Sequence, residues 1–122
     1  MLDLWGAKPS LRVERVRFPD GNLLIVSGEI DLATVSILEA DLGGIPPIGE
    51  VLIDLADVSF LGAVGLRALL RRARASQLRG QPFAICALRP QHRRLIAELD
   101  LLDELVAPEA RRPFYEALPN AN

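Results

Sequence analysis

Residues 51 to 70 read VLIDLADVSFLGAVGLRALL, and the change of pattern inside this stretch decides the fold. "EVLIDL", residues 50 to 55, is a short apolar run with β-favouring residues, as expected of a buried strand. From Gly65 the pattern becomes helical. Leu66, Leu69, Leu70 and Ala73 recur at i, i+3, i+4 and i+7, with Arg67, Arg71, Arg72 and Arg74 off the stripe. Gly80 ends this helix and Pro82 prevents its resumption. Between strand and helix lies "VSFLGAVGL", small, apolar and poor in hydroxyls. It occupies the junction of strand carboxyl end and helix amino end, the crevice in which open α/β sheets place their sites.

Outward from that junction the same alternation continues. "RVERVRF", "PDGN" and "LLIVSGEI" read as strand, turn and strand, with Pro19, Asp20, Gly21 and Asn22 supplying the turn. Leu23 to Val26 is continuously apolar, which places it inside the sheet. Thr34 or Asp31 can cap a first helix carrying Val35, Leu38 and Leu42 and ending at Gly43-Gly44. "FAICAL" is another buried strand. "RPQHRRLIAELDLL" is a third helix, with Pro90 in its first turn and Leu95, Ile96 and Leu99 facing inward. A brief extended "LVAP" and a helical turn "PFYEAL", residues 113 to 118, close the chain. The expected class is α/β: one domain with a mixed, mostly parallel sheet packed with helices and opening with a β-hairpin.

The chain has 122 residues, half of them apolar and a quarter charged, which suits one soluble domain. Its 14 basic and 16 acidic residues give a net charge of -2, with no whole-molecule attraction to nucleic acid or anionic membrane. The charges are unevenly spread: Val58 to Ala97 contains no acid but holds Arg67, Arg71, Arg72, Arg74, Arg79, Arg89, Arg93 and Arg94, so a basic surface strip is expected. These arginines lack the interleaved aromatics of a nucleic-acid surface, and no direct nucleic-acid partner is expected. A single cysteine without a secretion signal points to a reducing, cytoplasmic setting, and no apolar run suffices to span a membrane.

Convergent reactive groups are few. His92, flanked by Gln91, Arg93 and Arg94, reads as an ordinary surface side chain, and Cys86 as an inert thiol inside an apolar strand. One cysteine and one histidine make no ligand cluster. "GAVGL" lacks the lysine and the glycine spacing of a phosphate cradle. Asp31, Asp54 and Asp57 fall at neighbouring strand ends and could hold a magnesium ion, although turn, cap and strand-end acceptor roles are what such acids usually serve. The expectation is no enzyme, no cofactor and no metal. At the junction, Gly62 and Gly65 leave the turn nearly bare. Either a partner surface approaches closely there, or the glycines permit tight helix packing.

Two motifs carry a resemblance. "GEIDLAT", residues 28 to 34, is similar to Gly-Glu-Leu-Asp-x-x-Thr, and residues 51 to 70 are similar to a strand, Asp-Leu-x-x-Val-x-Phe, a short loop, Gly-Leu and a helix. Both belong to the STAS domain family, represented by bacterial anti-sigma factor antagonists. The resemblance covers residues 11 to 118, leaving residues 1 to 10 as an extension and 119 to 122 as a tail. Family members of this type regulate transcription by partner switching. They bind an anti-sigma factor, or a serine kinase of the ATPase-like type, and are turned off by phosphorylation of a serine in Asp-Ser-Ser-Gly-Leu.

On this chain the acidic position of that motif is Gly62, the acceptor is Ala63 and the next serine is Val64, while Gly65 and Leu66 match. Alanine has no oxygen to phosphorylate, so a negative charge cannot be added at Ala63. Ser59 and Thr34 are the nearest hydroxyls that could substitute. The resemblance implies a partner-binding module using Asp31, Ser59, Gly62, Ala63, Gly65 and Arg67, with the exposed face of the second helix; whether it forms a homodimer is left open. Two other roles fit such a domain: a cytoplasmic accessory subunit of a lipid-type ABC transporter, and a sensor holding an anion or nucleotide near Arg67.

Overall fold

In the computed structural model, which describes residues 10–107, the expected order of strands and helices is present. Strands β1 (Leu11–Phe18) and β2 (Gly21–Ile30) form an antiparallel hairpin. Its turn is tighter than the sequence suggests. Phe18 already pairs with Gly21, so Pro19 and Asp20 alone make the reversal and Asn22 belongs to β2. Helix α1 (Val35–Gly43) leads to β3 (Glu50–Leu61), helix α2 (Ala63–Leu78) to β4 (Phe83–Leu88). The sheet order is β1-β2-β3-β4, with β2, β3 and β4 mutually parallel.

Both faces of the central strands are buried over most of their length, which explains the apolar runs Leu23–Val26 and Val51–Ile53. Leu24, Val26, Val51, Ile53, Leu55 and Ile85 point to one side, where they pack with Leu38 and Leu42 of α1, Leu66, Leu69 and Ala73 of α2, and Ile96 and Leu105 beyond β4. Val16, Leu23, Leu52, Ala84 and Cys86 form a smaller cluster on the other side. All the helices among the described residues contribute to the first cluster and none to the second. Each fully buried leucine or isoleucine contributes about 1.5–3 kcal/mol by leaving water, so the two-sided sheet is the main source of cohesion.

Helix α2 ends as its sequence predicts: Gly80 takes a left-handed φ of +70°, and the Gln81 amide bonds back to the Ser76 carbonyl at 2.8 Å. The third helix differs from expectation. It breaks after α3 (Pro90–Glu98), and a separate turn, α4 (Leu102–Leu105), follows. Asp100, at φ 59°, adopts the left-handed conformation, and the amides of Asp100 and Leu101 bond to the carbonyls of Ala97 and Ile96. This is a Schellman ending made without glycine, where a short aspartate tolerates the left-handed region. As a result Leu99 is 50% exposed, not inward as its spacing suggests. The extended "LVAP" reduces to a parallel bridge between Val106 and Ile85 on the outer edge of β4. The expected helical turn at 113–118, the boundary at 118, the tail at 119–122 and nearly all of the extension at 1–10 lie outside the described residues.

Candidate functional site at the carboxyl ends of β2 and β3

The strand expected to stop at Leu55 continues to Leu61, and no loop separates it from α2; Gly62 alone stands between. Two irregularities account for the difference. Ile25 pairs with Asp54 but Ser27 with Asp57, and Gly28 pairs with Val58 but Glu29 with Phe60. At each step β3 spends one residue more than β2, the signature of a β-bulge, which bends a strand and re-aims its side chains. Beyond Leu55 the burial therefore follows a period of three: Ala56 and Asp57 exposed, Val58 buried, Ser59 and Phe60 exposed, Leu61 buried. A strand with that pattern looks like a loop in sequence.

Pairing of Ile30 with Leu61 brings the ends of β2 and β3 together. The Gly62 amide donates to the Ile30 carbonyl at 2.9 Å, and no side chain caps α2. The first-turn amides of this helix thus have no side-chain acceptor. Ala63, its first residue, is exposed, as is Arg67 one turn later; Arg67 has no hydrogen-bond or ion-pair partner among the described residues. At the same end of the sheet, Leu32 is 80% and Phe60 52% exposed. Isolated exposed apolar residues are ordinary, but these flank a bare helix start.

Gly65 lies beneath this surface and is buried. A Cβ there would lie 2.3 Å from Cγ2 of Ile30 and 3.1 Å from Cδ1 of Leu61. Tight packing against Ile30 and Leu61 is therefore what this glycine provides. Thr34 is also buried, at 5% exposure. It sits at the N-cap position of α1 without capping it: its Oγ1 donates to the Glu29 carbonyl at 2.7 Å and accepts from the Asp31 amide at 3.0 Å. Asp31 closes the same turn, its Oδ1 accepting from the amides of Ala33 and Thr34, each at 3.0 Å. Ser59 is exposed and its Oγ donates to the Gly28 carbonyl at 3.3 Å.

His92 is a correction to the sequence reading. It is 5% exposed, not a surface side chain, and its Nε2 lies 2.9 Å from the Val58 carbonyl. Arg89 donates through Nε to the Ala56 carbonyl at 3.0 Å. The expected arginine strip is partly consumed. Arg71 pairs with Glu39, Arg74 with Glu104, and Arg72 turns inward to the Leu42 carbonyl and Gln81 Oε1. Burial, with Arg79 nearby, lowers the pKa of Arg72, while the hydrogen bond to Glu104 raises that of Arg74 and lowers that of its partner.

Cys86 is buried with Sγ 3.4 Å from the Ile53 carbonyl, and burial foremost, helped by Asp54, pushes its thiol up to about 12. Such a thiol is protonated and unreactive at neutral pH. Asp54 accepts from the Ala56 amide at 2.8 Å, and among the described residues no three His, Cys, Asp or Glu side chains converge on a metal-sized site. The same residues contain no helix long and apolar enough to cross a membrane.

A wound sheet of this order, with a bare helix start beside bulged β3, defines a known class. The STAS domain model matches residues 15–121, and the chain belongs to that family. Among solved structures it is similar to an anti-sigma factor antagonist from Mycobacterium paratuberculosis, at 29% identity and TM-score 0.69, covering 86% of this chain and 92% of that one. It also shares its fold with the anti-sigma factor antagonist SpoIIAA in its unphosphorylated form, at 15% identity and TM-score 0.66 over 89% of this chain and 100% of the other. SpoIIAA in its phosphorylated form, described as a Bacillus cell fate determinant, matches at 16% identity and TM-score 0.63, covering 87% and 98%. No curated protein matches the sequence.

The structure places Asp31, Ser59, Gly62, Ala63 and Arg67 at one end of the sheet, with Gly65 buried beneath them. The sequence reading singles out neither Leu32 and Phe60, exposed at that end, nor the hydrogen bonds that Arg89 and His92 make to β3. Phe60 had a signal, being the only aromatic in a stretch otherwise made of small and aliphatic residues.

Proposed function

We propose that this protein is a non-enzymatic, cytoplasmic binding module of the anti-sigma factor antagonist type, docking an anti-sigma factor or a serine kinase of the ATPase-like fold. The observation that carries the reading is the start of α2: Gly62 and Ala63 present a small, uncharged, uncapped surface, flanked by exposed Phe60, Leu32, Ser59 and Arg67. The likeness to an antagonist at 29% identity over most of both chains supports it. Small residues let a partner backbone approach closely, and exposed aromatic and aliphatic side chains supply the apolar area that anchors an interface.

The switch is missing its handle. In a family where phosphorylation at this position releases the partner through charge repulsion, Ala63 cannot take the added negative charge. Thr34, buried and hydrogen-bonded on both sides of its oxygen, is a poor substitute acceptor; Ser59, exposed, is the better placed of the two.

The test mixes purified protein with an anti-sigma factor of the ATPase-like kinase type and follows binding and intact mass with and without ATP. We expect a stable complex, no ATP-driven release and no added phosphoryl mass, with Ala63→Ser gaining both. Phosphoryl transfer to the wild-type chain would overturn the claim of a lost switch. Failure to bind any such partner, with co-purification alongside a membrane ATPase, would replace the antagonist role with that of a transporter subunit.

A further inference from the structure

Strand β3 outruns its neighbour. Its pairing with β4 ends at Leu55 and Leu88, so on that edge no strand lies beside Ala56–Leu61 among the described residues. Backbone polar groups at an edge this close to the core need partners. Two side chains supply them. Arg89, the N-cap residue of α3, donates to the Ala56 carbonyl, and His92, in the first turn of the same helix, reaches the Val58 carbonyl. Carbonyls two residues apart in a strand face the same edge, and residues three apart on a helix face the same side, so the spacings match. A carbonyl oxygen can only accept, so Nε2 of His92 carries the hydrogen.

We propose that Arg89 and His92 are positioning residues that stand in for the absent strand. They latch the bulged half of β3 to α3, and through it fix Phe60 and the Gly62–Ala63 start of α2 in their docking geometry. The functional half of this inference rests on the docking role proposed above; the mechanical half does not.

Amide hydrogen exchange read by peptide segment tests the latch without any partner. In His92→Leu, which leaves the Val58 carbonyl unpaired, exchange across residues 56–62 should quicken by about tenfold, while residues 51–55 keep their protection. Arg89→Ala should do the same more weakly, and keeps the test alive if the buried histidine proves necessary for folding. His92→Gln, whose side-chain amide can donate to the same carbonyl, should restore protection. Unchanged exchange at 56–62 in both Arg89→Ala and His92→Leu, or an equal rise in 51–55, would overturn the latch.

A second arm titrates the same variants with an anti-sigma factor of the ATPase-like kinase type. A loss of about tenfold in affinity for His92→Leu, recovered in His92→Gln, is expected if the latch presets the docking geometry. Unaltered affinity with quickened exchange would overturn the functional half. No binding by the wild-type chain would instead sink the docking role, leaving the exchange result to decide the latch.

Discussion

The two halves of β3 show how one strand can serve two purposes. Glu50–Leu55 lies between β2 and β4, and from Val51 to Leu55 every residue is buried. Ala56–Leu61 keeps β2 on one edge but has the side chains of Arg89 and His92 on the other, and presents four of its residues to solvent. The first half is held by area removed from water on both faces; the second by Val58 and Leu61 in the core, by its pairing with β2, and by two directed side-chain hydrogen bonds on the other edge. The bulges turn β3 from core to display within one continuous strand, as the docking role proposed above requires.

Substitutions can break that contrast at either end. The largest effect belongs to the first half: Ile53→Ala should cost about 2–5 kcal/mol of stability in chemical denaturation, because a fully buried side chain leaves a cavity. Next comes Gly65→Ala beneath the second half, where the new methyl meets Ile30; overpacking of this kind costs about 1–3 kcal/mol, read as a shift in denaturation midpoint.

Alkaline pH sharpens the comparison from the side of Cys86, which faces the Ile53 carbonyl. Its thiol ionises at about 12 in the fold against an ordinary 9.0. Below 9.0 both states hold the proton and the thiol leaves stability unchanged; above it the unfolded chain ionises first. Stability should therefore fall with rising pH between 9.0 and about 12, by about 1.4 kcal/mol per unit at most, and Cys86→Ala should remove that part of the slope. The smallest effect on stability is expected for Phe60→Ala, within about 0.5 kcal/mol because the ring is half exposed, yet this variant should weaken partner capture more than any of the others.

The same contrast marks where sequence reasoning succeeds. The buried half is legible because two covered faces demand a nearly continuous apolar run, and "VLIDL" is one, interrupted only by Asp54. The displayed half is not, since two inserted residues convert an alternating pattern into one exposed, exposed, buried, which is also how a loop reads. His92 was misjudged for a related reason. Its chain neighbours are polar and basic, and only the placement of α3 against the overhanging strand shows that the imidazole points inward. At Ala63, by contrast, the missing hydroxyl is visible in the sequence itself.

The contact between Ile30 and Gly65 has a genetic corollary. A methyl at position 65 fits without displacement only if position 30 gives up its Cγ2, which occupies the space a Cβ would need. In a suppressor selection started from Gly65→Ala, reversions aside, relief should recur at residue 30 in favour of alanine, and valine, which keeps that methyl, should not appear. Two residues separated by about a third of the domain in sequence would then be inherited as a pair.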